Sequence, residues 1–257
     1  MTIGVKSSER TLLLFELFSR KQQPLTIADI SEGIDVPQSS TSALVSSLVR
    51  QGYLEQDARQ RTYYPTLRIS LLGTWMRRQH RRAGQLPALL SEISKRTGES
   101  SILSMRNGIY SQYLLAQRGN DPKRAHVESG MLYPLACSST GWCLLSLESA
   151  DGIGKIVRRT IAETSNDRWR ETATSAHERV QETRRRGYAI SNAEVIEGLG
   201  AISILLPSMP GAQAMAAGVG GRTERIQAKT DIILEALYGL SDAIRKLSDQ
   251  SEQAVLE

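Results

Sequence analysis

A chain of 257 residues, 40% of them apolar, is long enough to bury two cores. Its longest apolar runs, "AISILL" and "TLLLF", fall far short of the ~20 residues of a membrane span, and the two cysteines, Cys137 and Cys143, match no zinc or redox spacing. The net charge of +5 is lopsided: residues 1–82 hold 12 Lys/Arg and 7 Asp/Glu, while the rest of the chain holds 20 of each. The start, "MTIGVKSSER", lacks the apolar centre of a secretory signal. A reducing cytoplasm is the expected compartment, and the basic first third points to a polyanionic partner, DNA foremost.

The first element in chain order is "SSERTLLLFELFSRKQQP". It predicts a helix with apolar Leu12, Leu13, Phe15, Leu17 and Phe18, ending before Pro24. A second helix opens at Thr26, where "TIAD" has the form of a capping box, and its Ile27, Ile30 and Ile34 share one face. "GIDVP" then reads as a tight turn, with Gly33 ending one helix and Pro37 suited to the first turn of the next. The third helix, about Pro37 to Gln51, closes at Gly52 and points Thr41, Leu44, Val45 and Leu48 inward. Its other side carries Gln38, Ser39, Ser42 and Ser46. Serine is an indifferent helix former, so a helix this rich in hydroxyls is read as one that shows hydrogen-bonding groups to a partner.

Two short helices and a glycine-containing turn describe a helix-turn-helix whose second member enters the major groove. Gln38 is suited to an adenine edge, and Ser39, Ser40, Ser42, Ser46 and Arg50 are candidate contacts on the same helix, with Arg10 on the first helix. "GYLEQDARQRTYYPT" follows as a hairpin with a basic tip. As a wing, it would bring Arg59 and Arg61 to phosphate or the minor groove; as an ordinary solvated hairpin it would have no partner. "LRISLLGTWMRRQHRRAGQ" reads as a linker helix with apolar Ile69, Leu72, Trp75 and Met76, then a cluster of Arg77, Arg78, Arg81 and Arg82 around His80. It either packs on its twin in a dimer near DNA or presents a solvated face. His80 has no neighbouring His or Cys, so no metal is expected there.

From about Leu86 helices and strands mix. "LPALLSEISKRTG" is an amphipathic helix, and "SSILSMRNGIYSQYLLAQ" is two strands about an Asn107-Gly108 turn. A strand in "AHVESGMLYPLA", a helix from near Ser138, the segment "GIGKIVRRTIAET" and one longer helix from about Trp169 to Arg186 follow. The last strands lie in "GYAISNAEVIEGLGAISILLPS" and "AQAMAAGVGG", and a single final helix covers "RIQAKTDIILEALYGLSDAIRKLS". The pattern implies an α+β domain. His126 and His177 lack a serine or cysteine partner, "SSTGWC" lacks the nucleophile-elbow form, and "GVGG" and "GLGA" are too short for a phosphate loop. No catalytic site, cofactor or metal is expected.

This order of segments resembles the isocitrate lyase regulator (IclR) type of bacterial transcription factor. The resemblance runs over nearly the whole chain, from "SSERTLLLFELFS" through "GMLYPLACSSTGWCLLS" to "VQETRRRGYAISNAEVIEGLGAISILLP". It implies a winged helix-turn-helix (1–67), a linker helix (68–85) and a GAF/PAS-like α/β effector-binding and oligomerisation domain (86–250). It also implies a dimer or tetramer, a repressor more readily than an activator, and double-stranded operator DNA as partner. Gln38 and Ala43 stand where family members often carry basic residues, which puts the usual base readout in doubt.

The resemblance also places an effector between the sheet and "LACSSTGWC", with N–H groups at the helix start available to an anion. Ser138, Ser139 and Thr140 fall at that loop-helix, with Met131 and Tyr133 near it. Ser191, Ala201, Gly218 and Gly220 stand where well-studied members carry an acid, a cysteine and serines. Two readings stay open: a cavity widened for an aromatic or other organic acid, or a vestigial one in a ligand-independent DNA-binding protein whose C-terminal domain only oligomerises.

Overall fold

The structure, a computed structural model, describes residues 5–74, 83–119, 127–208 and 213–253, with side chains of the last helix described to residue 246. The chain divides into two compact units, Met1–Arg81 and Arg82–Glu257.

The first unit is three helices and a hairpin around one apolar cluster. Helix α1 (Lys6–Lys21) buries Leu14, Leu17 and Phe18. Leu12 and Leu13, in the same apolar run, are 65% and 37% exposed. In a run of adjacent apolar residues the inward stripe is chosen by what α2 and the hairpin can meet, and the i, i+3, i+4 set of Leu14, Leu17 and Phe18 wins. Helix α2 (Ile27–Gly33) starts as expected: Thr26 accepts from the Asp29 N–H, and the Asp29 carboxylate accepts from the Thr26 N–H at 2.8 Å. The Thr26 hydroxyl, which donates to the Asp29 carboxylate at 2.7 Å, and the Thr26 N–H hold the Asp29 carboxyl below the usual carboxylate range.

Gly33 is the last residue of α2, as expected, and serves a second purpose. A Cβ there would fall within 2.7 Å of both Leu17 methyl groups, so the glycine lets α2 lie against α1. Asp35, at φ 52°, supplies the left-handed residue of the turn instead.

Helix α3 (Gln38–Arg50) buries Thr41, Val45 and Leu48. Strands β1 (Leu54–Asp57) and β2 (Thr62–Pro65) pair antiparallel, and Leu25 adds a bridge to Tyr63. Helix α4 (Leu67–Leu72) ends the described part of this unit. Trp75, Met76 and the cluster Arg77, Arg78, His80, Arg81 and Arg82 lie outside the described residues.

The second unit begins with α5 (Leu86–Thr97), then β3 (Ser100–Asn107) and β4 (Tyr110–Gln117) about Gly108 at φ 61°. Strand β5 (Leu132–Pro134) is shorter than expected. Next come α6 (Ser139–Leu145), α7 (Ala150–Glu163), α8 (Asp167–Thr174) and α9 (Ala176–Arg186). Strands β6 (Ala189–Asn192), β7 (Leu199–Leu205) and β8 (Met215–Arg222) and helices α10 (Thr223–Ala228) and α11 (Thr230–Gln253) complete it. The strands form one antiparallel sheet in the order β5-β4-β3-β8-β7-β6.

Side chains on β8 alternate as a doubly covered sheet requires. Ala217 and Val219 join a cluster with Leu90, Leu237 and Leu240 of α5 and α11, whereas Ala216 joins Trp142, Leu145 and Val180 of α6 and α9.

Two helices expected to be continuous are broken. The break between α8 and α9 falls at Ser175, whose hydroxyl donates to Thr172 O at 2.9 Å, and Ala173 and Ala176 on either side are buried. The break between α10 and α11 falls at Lys229, whose Nζ reaches Thr97 O at 2.7 Å and Glu99 Oε1 at 2.9 Å. Glu99 is buried and also pairs with Arg225 at 2.7 Å. Satisfying a buried carboxylate outweighs one more turn of regular helix.

Candidate nucleic-acid interface and ligand cavity

Helix α3 is set by its inner side. Thr41 Oγ1 donates to Val36 O at 3.1 Å, and Ser31 Oγ donates to the same carbonyl at 2.7 Å, so two hydroxyls from α2 and α3 close the turn between them. With Thr41 and Val45 fixed inward, Gln38, Ser42, Ser46 and Arg50 follow one another at i+4 along the outer ridge, all exposed beside Ser39. Ser40 is half-buried. Among the described residues these outer hydroxyls have no hydrogen bond in the fold, whereas Ser47, on the flank, accepts from Gln51 at 3.2 Å.

The hairpin tip is built by Asp57, whose Oδ1 accepts from the N–H groups of Arg59 at 2.8 Å and Gln60 at 3.1 Å. Arg61 closes the tip at φ 54°, and both arginines are exposed. Arg10, on α1, is half-buried. Arg68, not singled out from the sequence, lies 4.7 Å over the Tyr53 ring and donates to Gln51 O at 2.9 Å, tying α4 to the end of α3.

In the second unit α6 packs tightly on the segment that leads into it from β5 because Gly141 has no side chain: a Cβ there would sit well under 3.0 Å from the Leu135 carbonyl. Around it hydroxyls pair with one another. Ser139 Oγ meets Ser203 Oγ at 2.8 Å, and Ser111 Oγ meets Thr140 Oγ1 at 2.9 Å. Ser138 caps the helix, accepting from the Gly141 N–H at 3.1 Å. One of the N–H groups expected to meet an anion is therefore occupied by the fold itself.

Beside this helix start lies a cavity of about 70 Å³. Six residues suggested by the resemblance line it: Tyr133, Ser138, Ser139, Ser191, Ala201 and Gly220. Three do not. Thr140 turns to Ser111, Met131 accepts from the Tyr133 hydroxyl at 3.6 Å, and Gly218 faces Ser203 Oγ and Ile102 so closely that a Cβ would overlap the hydroxyl.

The lining also includes residues that nothing in the sequence singled out. Tyr113 packs against Tyr133 with ring centres 5.2 Å apart and planes tilted by 51°, and Ser100 and Ile102 add to the wall on β3. Val195 and Ile196, in the connection between β6 and β7, form another side. That connection is held from α8 and α9. Arg168 donates to Ala193 O at 3.0 Å, Trp169 Nε1 to Val195 O at 3.2 Å, and Arg179 pairs with Glu194 at 2.9 Å.

Most of the lining surface is apolar, and none of the lining side chains is charged. Burial pushes the phenols of Tyr113 and Tyr133 above their usual range, so both stay protonated. Cys137 and Cys143 donate to the carbonyls of Trp169 at 3.2 Å and Ser203 at 3.3 Å, and burial pushes each thiol up to about 12. Such thiols are structural rather than nucleophilic. Among the described residues no cluster of three His, Cys, Asp or Glu side chains could hold a metal, and no helix is long and apolar enough to cross a membrane.

Two family models match, the IclR helix-turn-helix domain over residues 7–58 and the C-terminal region of bacterial transcriptional regulator IclR over residues 83–248. The probable transcriptional regulator SauR of Cupriavidus necator is 23% identical over 248 residues, covering 96% of either chain. The HTH-type transcriptional regulator BhcR of Paracoccus denitrificans is 23% identical, over 98% of this chain and 91% of its own. The crystal structure of the Thermotoga maritima IclR shares the fold, with a TM-score of 0.64 and 17% identity over 95% of this chain and all (100%) of that one.

Proposed function

This chain belongs to the IclR family of bacterial transcriptional regulators, and from that premise we propose that it represses transcription by occupying an operator and that a small molecule in its C-terminal cavity modulates the occupancy. It is a DNA-binding regulator and not an enzyme, as are its relatives. The observation that carries the DNA reading is the exposed ridge of Gln38, Ser42, Ser46 and Arg50, whose polar groups have no role inside the fold. Gln38 and the serines would read base edges. Arg59 and Arg61 on the hairpin tip, Arg50 at the C-terminal end of the ridge and Arg10 on α1 would meet phosphate and set register. Repression is the outcome that occupancy alone produces where an operator overlaps a promoter. A homodimer or tetramer would present two such ridges to half-sites about one helical turn (~34 Å) apart or a multiple of it.

The cavity supports the effector arm, because well-packed interiors seldom leave room for more than a water. A gel-shift titration on DNA flanking the protein's own gene, at several salt concentrations, tests the DNA arm. Gln38→Ala should flatten the preference between specific and random DNA by about 1–3 kcal/mol. Arg61→Ala should weaken both and lower the salt slope by about 1. Equal binding of specific and random DNA by the unaltered protein would sink the reading. A promoter-reporter fusion checks the sign: deletion of the gene should raise expression.

A further inference from the structure

The cavity that this reading treats as the effector site holds a further clue in its charge. We propose that its ligand is a small uncharged carbonyl compound, such as an amide, lactone or ketone, and not the organic acid that the sequence suggests.

Two phenols and four serine hydroxyls supply the polar side-chain atoms of the wall. Several are committed. Ser138 donates to Pro134 O at 3.2 Å, Ser139 pairs with Ser203, Ser100 accepts from the Gly119 N–H at 3.3 Å, and Tyr133 donates to Met131 sulfur. The hydroxyls of Tyr113 and Ser191 have no hydrogen-bond partner among the described residues. Neither is among the buried atoms that lack a partner, so both open to the cavity, and each has a proton to donate there. Burial keeps the Tyr113 phenol protonated. A carbonyl oxygen is an acceptor to which either hydroxyl would donate.

A carboxylate would fit the hydroxyls but not the surroundings. It would leave water for a mostly apolar cavity with no cation among the described lining residues to balance it. The cations behind the wall are already engaged. Glu99 lies behind Gly221, where an added Cβ would collide with its carboxylate, and Arg225 and Lys229 hold Glu99 at 2.7 and 2.9 Å. At about 70 Å³ the cavity takes roughly five to seven positions the size of a water molecule, which suits a compound of four or five carbons.

The test uses the full chain and two matched pairs, butyramide with butyrate and γ-butyrolactone with 4-hydroxybutyrate. Butyramide and butyrate share a shape and differ in charge. In ligand-observed NMR titrations at neutral pH, the neutral member of each pair should bind about tenfold or more tighter than its acid, the equivalent of at least one pKa unit of penalty on the charged form. Tyr113→Phe and Ser191→Ala should each weaken butyramide severalfold without changing the preference, and the second is small enough to fold if the first does not. Acids that bind as tightly as their neutral partners, with the same sensitivity to Ser191→Ala, would overturn the uncharged ligand and leave the effector site standing. No binding by any of the four up to about 50 mM, where compounds this small would register, would overturn both the uncharged ligand and the effector arm of the proposed function.

Discussion

The two units use the same side chains in opposite ways. In the first, the only buried polar residue among those described is Thr41, and Ser39, Ser42 and Ser46 of α3 stand in solvent. In the second, the hydroxyls turn inward: Ser101, Ser104, Ser111, Ser139 and Ser203 are buried and bonded to one another or to backbone. A hydroxyl adds little to helix stability in either place. On a surface it is a group held in reserve for another molecule, whereas in a core it must be satisfied at once. What separates an exposed hydroxyl ridge from a hydroxyl-lined interior here is the geometry around the serines and not their number.

The sharpest way to break this contrast is Gly141→Ala. Its methyl would press into the Leu135 backbone, which cannot move as a side chain can. The C-terminal unit should lose roughly 3 kcal/mol or more, read as a calorimetric transition that falls while the DNA-binding unit's own melting stays put. One cooperative transition that does not move would show that α6 is less tightly seated than described.

A gentler cut is available on β8. Gly218→Ser would collide with Ser203 Oγ and should cost about 2 kcal/mol. At Gly220 the nearest atoms to an added Cβ are 3.6 Å away, so Gly220→Ser should stay within about 0.5 kcal/mol. Denaturant midpoints of the two variants, compared directly, check the difference.

At the hairpin the expected signs diverge. Arg61 holds a left-handed backbone that costs most residues about 1 kcal/mol. Arg61→Gly should therefore raise thermal stability by up to that amount while lowering affinity for all DNA sequences. If both fell together, the arginine would be a structural residue and no phosphate contact.

The smallest effect is absent at neutral pH. Because the folded thiols of Cys137 and Cys143 titrate near 12, against an ordinary value of 9.0, the unfolded chain gives up these protons first. Their neutral burial is fully favourable below about pH 9, and stability is lost as pH rises from there towards 12. Iodoacetamide at pH 8 should label the folded protein slowly and the unfolded protein fast.

Local chemistry was what the sequence made legible. The Thr26–Asp29 box, the Asn107-Gly108 hairpin, the inward Thr41 and the tip arginines each depend on neighbours a few residues away, and each is where the pattern put it. Features decided by distant atoms were not legible. Leu14 outranks Leu12 and Leu13 because of what α2 presents, Gly33 answers to Leu17, and Lys229 breaks a regular helix to reach Glu99. The cavity shows the same division. A resemblance could place Ser138, Ser139 and Ser191 at its wall, but Tyr113 comes from a strand whose alternation marks it only as facing inward or outward, and Val195 and Ile196 arrive through a connection pinned from α8.

The doubly bonded Val36 carbonyl has a kinetic meaning as well. Because Ser31 and Thr41 fix the turn from both sides, the ridge already holds its shape when the protein is alone. Under the proposed operator reading, no segment of that turn would have to order itself on DNA, and no affinity would be lost to freezing it. Association should then run at the speed of the search along DNA. Differences among operators would appear in how long the protein stays rather than in how fast it arrives.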